Sequence, residues 1–126
     1  MRFMMFVKGN ADYEAGRPPS GAEIAAIGQL AAEMSAAGVL LDMGGLLPSA
    51  AGAKVHVTKG ELMVTDGPFT ETKELIGGYA ILRAASRAEA IELGKRFMQV
   101  QLDALGPSFH GELEIRQLAD GPGGPR

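Results

Sequence analysis

One short segment, Thr65 to Tyr79, combines a turn, an aromatic side chain and several ionisable side chains. Asp66 and Glu74 provide carboxylates, and Lys73 provides an ammonium group between them. A carboxylate can act as a general base, and a lysine can bind an anion. One interpretation is therefore the rim of a ligand pocket, with Asp66 or a glutamate as the base and Lys73 as the partner of an anion. Lys73 and Glu74 are candidate ligand-binding residues.

The same segment also has a structural interpretation. Pro68 fixes its own φ angle at about −65° and keeps Gly67 out of the helical region, so the chain turns here. The Asp66 carboxylate can accept N–H groups of that turn, and Phe69 can anchor it by pointing inward. On this interpretation the segment positions a neighbouring hairpin and contributes to contacts between subunits. The residue types leave both interpretations open.

The two histidines are further candidate bases. His56 lies between Val55 and Val57 in a predicted hairpin, so it faces away from both, and His110 precedes the last predicted strand. Either imidazole can act as a general base near neutral pH, and either can equally be a surface or hydrogen-bonded residue. Two histidines without suitably spaced carboxylates do not indicate a metal site. We predict no metal and no cofactor.

Charged residues inside predicted strands form a third group. If Leu113 and Ile115 pack on helices, then Glu114 and Arg116 point to the opposite face of the sheet. There they would line a cavity and bind a polar or anionic ligand, or they would form a salt bridge at an exposed sheet end.

Asp42, inside an apolar strand, also needs a partner, and Arg116 is one candidate. Tyr79 can present its hydroxyl to the same space or serve as a core aromatic residue. We include Asp42, Tyr79, Glu114 and Arg116 among the candidate ligand-binding residues.

The elements that position these residues follow from hydrophobic periodicity and from turn and capping signals. Two helices are predicted, each beginning at an S-x-x-E capping box, Ser20 to Glu23 and Ser86 to Glu89. They end at Gly38 and Gly106. A polar loop is predicted from Gly9 to Pro19. The predicted strands are Phe3 to Val7, Val39 to Leu47, Lys54 to Thr58, Glu61 to Thr65, Tyr79 to Ala84 and Glu112 to Leu118.

This order predicts an α+β fold, a ferredoxin-like βαββαβ arrangement with an inserted β-hairpin. Two helices cover only one face of a four-stranded sheet, yet the first strand is apolar on both faces. Something must cover the second face. A second copy of the chain is the simplest cover, so we predict a homodimer with sheets packed face to face.

Composition excludes several classes of protein. The net charge is −3, and no dense Lys/Arg cluster suggests nucleic-acid binding. No apolar run approaches the roughly 20 residues that span a bilayer, so we predict no membrane association. The chain has no Cys, which fits a reducing compartment, and we expect a cytoplasmic protein. We predict one domain over residues 1–118 and a disordered Gly/Pro tail over residues 119–126.

The segment from Thr65 to Tyr79 closely resembles the signature of DGPF-domain proteins, a branch of the YCII-related family. Three other stretches support the resemblance, which covers most of the chain: Gly38 to Leu41, Gly45 to Ser49, and Glu114 to Arg116. The resemblance implies a dimeric α+β barrel. DGPF proteins are also often encoded near extracytoplasmic-function sigma factors, which suggests a stress or signalling context.

The family resemblance also bears on activity. Its characterised relatives include a dehydrochlorinase acting on a chlorinated hydroxyquinol, with a proposed His–Asp pair whose His lies on the first helix. This chain has no His between Ser20 and Gly38, and Ser49 lies about where the Asp is expected. The dyad is therefore not matched, and whether this protein is an enzyme stays open.

Three functions remain as hypotheses. The first is a dimer that binds a small polar or anionic molecule in a pocket between the sheet and the signature loop. The second is a lyase or dehydrochlorinase-like enzyme that uses Asp66, His56 or His110 as its base. The third is a regulatory partner of another protein, with exposed loops as its interface.

Overall fold

A computed structural model of the chain describes residues 1–71 and 74–120. In chain order its elements are β1 (Arg2–Lys8), α1 (Ala11–Glu14), α2 (Gly21–Ala36), β2 (Leu40–Gly45), β3 (Ala53–Thr58), β4 (Glu61–Asp66), β5 (Ile76–Arg83), α3 (Arg87–Leu105) and β6 (Leu113–Gln117). A single 3-10 turn, Ser49–Ala51, precedes β3. Lys73 and most of the predicted Gly/Pro tail lie outside the described residues.

Four strands form one antiparallel sheet in the order β2-β5-β1-β6. The strands β3 and β4 pair only with each other, as a separate two-stranded sheet inserted between β2 and β5. This is the ferredoxin-like order of a βαββαβ unit, and the predicted α+β fold with an inserted hairpin is confirmed.

Both long helices begin at the predicted capping residues. Ser20 accepts a hydrogen bond from the Glu23 backbone N–H at 3.2 Å, and Ser86 accepts one from the Glu89 N–H at 3.1 Å. After α2 the chain leaves the helix at Gly38, whose φ of 75° favours glycine. Local sequence therefore determines where these helices begin and where α2 ends.

The prediction of a polar loop from Gly9 to Pro19 was wrong in part. The short helix α1 begins there, because the Asn10 side chain accepts a hydrogen bond from the Tyr13 N–H at 2.8 Å and caps the first turn. Across residues 1–71 and 74–120, no helix is long and apolar enough to cross a membrane.

The core lies between the sheet and the two long helices. Phe3, Met5 and Leu82 are its largest fully buried side chains. Leu113 and Ile115 pack against this core, so alternation places Glu114 and Arg116 on the helix-free face, as predicted. Four large side chains of that face are only half-buried in the single chain: Met4, Phe6, Tyr79 and Ile81.

The hairpin of β3 and β4 is an amphipathic ribbon that projects from the sheet. Its turn has Lys59 at φ 53° and Gly60 at φ 78°, as a tight two-residue hairpin turn requires. The pairs Val55–Val64 and Val57–Leu62 lie on one face of the ribbon. The pair His56–Met63 lies on the opposite face, so His56 faces away from both valines, as predicted.

Candidate functional site

The signature segment is attached to the 3-10 turn that precedes β3. The Gly67 N–H donates to the Gly52 carbonyl at 2.9 Å, and the Phe69 N–H donates to Ser49 Oγ at 2.9 Å. A Cβ atom on Gly67 would lie 1.7 Å from the Ser49 carbonyl oxygen, so only glycine fits this approach. The Gly67–Pro68 peptide bond is cis. These contacts fix the base of the hairpin.

Ser49 connects this segment to α1. Its backbone N–H donates to Glu14 Oε1 at 2.7 Å, and its hydroxyl donates to Glu14 Oε2 at 2.5 Å. Glu14 and Ser49 are partly buried, and a carboxylate in that position is stabilised by such charge-assisted hydrogen bonds. Sequence reasoning placed Ser49 where a catalytic Asp was expected, but it missed Glu14, because nothing local in the sequence links positions 35 residues apart.

Three predicted site residues belong to the hairpin and its base. Asp66 is exposed at the end of β4, opposite Ala53. Glu74 forms an ion pair with Lys54, whose Nζ lies 4.5 Å from the centre of the Phe69 ring. His56 lies on the ribbon's polar face.

A cleft of about 310 Å³ opens at the end of the sheet where β1 and β2 finish and β5 and β6 begin. Its floor includes the backbone of Gly44, Gly45, Gly77 and Gly78. A Cβ on Gly78 would lie 2.8 Å from the Gly44 carbonyl oxygen, so glycine lets the two strands approach closely here. Its apolar walls are formed by Ile27 of α2, by Phe97 and Met98 of α3, and by Phe109.

Polar residues from several parts of the chain line this cleft. They are Asn10, Tyr13, Glu23, Gln101, His110 and Glu112. Lys8 also lines it, but the Lys8 ammonium group lies 3.5 Å from Glu114 on the helix-free face. Gln101 is the most enclosed, at 4% exposure, and its amide donates to the Phe97 carbonyl at 3.3 Å. The signal for Gln101 was available in the sequence, since a glutamine on the apolar face of α3 is unusual.

Two predicted site residues, His110 and Tyr79, line the cleft. The described lining includes the end of the signature segment, Gly77 to Tyr79. It includes neither Asp66 nor Phe69, and the Phe69 N–H is bonded to Ser49 instead.

The helix-free face carries a charged group at the β6 edge. Arg116 Nε donates to Glu114 Oε2 at 2.5 Å, and Lys8 Nζ lies 3.5 Å from Glu114 Oε1. The Arg116 hydrogen bond, then its positive charge, and then the Lys8 contact hold the pKa of Glu114 below its usual value. The Arg116 side chain is 73% exposed in the single chain, so a buried Glu–Arg pair is not formed within it.

Asp42 does not contact its candidate partner Arg116 within one chain. Asp42 lies on β2 and Arg116 on β6, the two outer strands, and two strands separate them by about 14 Å. Asp42 instead accepts hydrogen bonds from the Met43 N–H at 2.8 Å and from the Tyr79 hydroxyl at 3.4 Å. In the part of the chain that the structure describes, no group of three His, Cys, Asp or Glu residues could hold a metal ion.

A model of the YCII-related domain matches residues 1–105. The chain belongs to the YCII-related family. This YCII-related chain is also similar to an uncharacterized protein of Rhizobium meliloti (strain 1021), with 37% identity over 83 residues. The matched stretch covers 66% of this chain and 62% of that protein, less than two thirds of its length.

Among solved structures, this YCII-related chain is similar to 5-chloro-2-hydroxyhydroquinone dehydrochlorinase (TftG) from Burkholderia phenoliruptrix AC1100, in complex with 2,5-dihydroxybenzoquinone. The TM-score is 0.50 at 15% identity, and the match covers 96% of each chain. At this identity the likeness shows the shared fold alone. In the present chain α2 contains no histidine, and Ser49 is bound to Glu14.

Proposed function

We propose that this YCII-related protein binds a small polar or anionic molecule in the 310 Å³ cleft. The observation that carries the proposal is the combination of apolar walls with polar groups around one concave space. Ligand sites have this composition, since apolar walls supply affinity and a few polar groups set orientation. The cleft is at the small end of such sites, so it suits a molecule of about one ring.

Two cleft residues indicate the chemistry of the ligand. Gln101 supplies an amide, and His110 supplies an imidazole that can donate or accept a hydrogen bond. A hydroxylated or carboxylated ring matches both groups. The dehydrochlorinase of similar fold was solved with 2,5-dihydroxybenzoquinone, which makes that compound a reasonable first probe.

Isothermal titration calorimetry with 2,5-dihydroxybenzoquinone tests this proposal. We expect saturable binding by the natural chain. The His110→Gln variant should bind at least about fivefold more weakly, because the hydrogen bond between the imidazole and the ligand is lost. His56→Gln is the matched control, since His56 lies on the hairpin and should leave affinity unchanged. Equal effects of the two variants, or no binding by a panel of hydroxylated and carboxylated rings, would contradict the cleft as the site.

A second candidate function is a dehydrochlorinase-like enzyme with His110 as its base. Its support is that, of the three predicted bases, His110 lines the cleft and the described lining does not include Asp66 or His56. In such a reaction the imidazole takes a proton from a chlorinated substrate as the C–Cl bond breaks and chloride leaves. Chloride release from a chlorinated hydroxyquinol, abolished by His110→Gln and retained by His56→Gln, is the expected result; no release by the natural chain would exclude this function.

We also propose that the protein acts as a homodimer through the helix-free face. Met4, Phe6, Tyr79 and Ile81 leave an apolar surface there that the single chain does not fully cover. One cross-strand row of this face consists of Asp42, Ile81, Met4 and Arg116, in that order.

The charges of this row favour one arrangement of two copies. A two-fold axis parallel to the strands reverses the row, so Asp42 of one copy meets the partner's Arg116 and the apolar residues meet each other. An axis across the strands would place like charges together. Light scattering should give twice the 13.1 kDa chain mass, and a monomer at micromolar concentration would contradict the dimer.

A further inference from the structure

The hairpin carries a group of highly exposed apolar side chains. Val55, Val57, Leu62 and Val64 form its apolar face, and they are 66–78% exposed. Four adjacent large aliphatic side chains on one face of a ribbon are costly to leave in water, because each gains roughly 1.5–3 kcal/mol on full burial. An isolated two-stranded ribbon is also marginally stable by itself. Among the described residues nothing covers this face, so a second molecule is needed to bury it.

The base of the hairpin holds the ribbon in a defined direction. The Gly67 N–H bond to the Gly52 carbonyl joins the two ends of the ribbon. Ser49 then connects that base to α1 through Glu14, and it connects to the signature segment through the Phe69 N–H. These hydrogen bonds fix the ribbon at its base. The signature residues Asp66 to Phe69 sit at its point of attachment.

We infer that the hairpin is an arm that packs its apolar face onto a second copy of this chain. This inference rests on the proposed homodimer and adds the arm to it. Six-residue strands reach about 20 Å, whereas the four-stranded sheet is about 14 Å wide. An arm that leaves one copy beside its sheet is long enough to reach across the edge of the partner.

A second copy fits this surface better than an unrelated protein. Among the described residues, the helix-free face and the arm are both exposed apolar surfaces, and the helix-free face is self-complementary in charge along the row from Asp42 to Arg116. A two-fold dimer covers both surfaces of both chains in one closed assembly, because each chain gives one arm and receives one. An unrelated partner on the arm would leave the helix-free face open. The signature segment then serves to orient the dimerisation arm.

Cysteine labelling tests the arm directly, since the natural chain has no Cys. Residue 62 lies on the apolar face and residue 63 on the opposite face, at adjacent positions of β4. In the single chain Leu62 is 78% exposed and Met63 is 47% exposed, so the Leu62→Cys variant should react with a maleimide faster than Met63→Cys. When the arm packs on a partner, Leu62→Cys should react more slowly than Met63→Cys. Dilution below the dimer dissociation constant should restore the faster reaction of Leu62→Cys.

Variants of the same residues measure the contribution of the arm to assembly. Leu62→Asp should raise the dimer dissociation constant by about 100-fold or more, because a two-fold dimer loses the contact twice. Met63→Asp, on the polar face, should change it less than about threefold. Circular dichroism should show both variants folded, since both positions are exposed.

The possible outcomes separate the arm from the dimer. Suppose that the protein is a dimer, that Met4→Asp dissociates it and that Leu62→Asp does not. The sheet-face dimer is then supported, and the proposed arm is overturned. A dimer in which Leu62→Cys still reacts with the maleimide faster than Met63→Cys also overturns the proposed arm. Protection of Leu62→Cys only after a cell lysate is added, with a mass above that of the dimer, assigns the arm to another protein. A monomer overturns both proposals, while ligand binding in the cleft is judged by its own titration.

Discussion

Ser49 and Glu14 form a two-point hydrogen-bonded pair that joins the base of the hairpin to the short helix α1. The Ser49 N–H and hydroxyl donate to the two carboxylate oxygens at 2.7 and 2.5 Å. The Ser49 oxygen in turn accepts the Phe69 N–H. One serine thus joins three segments that are distant in sequence.

Replacing Ser49 by Ala should destabilise the fold by about 1–3 kcal/mol, because a partly buried carboxylate and the Phe69 N–H both lose a partner. Urea unfolding followed by circular dichroism measures this. Ser35→Ala, at an exposed position of α2, is the control and should stay within about 0.5 kcal/mol of the natural chain. If the two variants are equally stable, the Ser49 hydroxyl has no role in holding the hairpin base.

Replacing Gly67 by Ala should cost about 3 kcal/mol or more, since the new Cβ would overlap the Ser49 carbonyl oxygen, a backbone atom that cannot move alone. Gly28→Ala is the control. Its Cβ meets nothing within 4 Å inside α2, so it should increase stability by about 0.5–1 kcal/mol. A harmless Gly67→Ala variant would contradict the close approach of the signature segment to the Ser49 turn.

Exchanging the charges of Asp42 and Arg116 tests the proposed two-fold axis. Asp42→Arg alone and Arg116→Asp alone should each weaken the dimer, because each places like charges together across the interface. The double variant restores opposite charges in a dimer whose axis runs along the strands, so its dissociation constant should return to within about tenfold of the natural value. Additive weakening in the double variant, measured by sedimentation, would rule out that axis.

The pKa of Glu114 gives a prediction about pH. In the folded protein the pKa of Glu114 lies below its ordinary value, mainly because Arg116 donates a hydrogen bond to the carboxylate. The group therefore contributes stability above its unfolded pKa of about 4.3 and loses that contribution as the pH falls through the folded pKa. The natural chain should lose stability over this acidic range more steeply than Glu114→Gln.

A side-chain NMR titration checks the cause of this shift. Arg116→Gln should move the pKa of Glu114 upward, toward its ordinary value, whereas Arg83→Gln, at another exposed arginine near the end of the sheet, should leave it in place. A Glu114 carboxylate that titrates at its ordinary pKa in the natural chain would show that the Arg116 contact is not populated in solution.

The sequence by itself determined the order of the long helices and strands, the caps at Ser20 and Ser86, the hairpin turn at Lys59-Gly60 and the family. These features depend on neighbours within a few residues, where periodicity, capping and turn chemistry act directly. It also established that Glu114 and Arg116 face away from the helices, because side chains alternate along a strand.

Only the tertiary structure decided which distant residues meet. It separated Asp42 from Arg116 by placing their strands at opposite edges of the sheet, and it joined Ser49 to Glu14 across a loop in which the helix α1 was not predicted. It also formed a cleft beside His110 whose described lining includes Gly77 to Tyr79 but not Asp66. Pairing between distant segments depends on strand order and on packing of the whole chain, and neither is encoded in the residues next to any one of these positions.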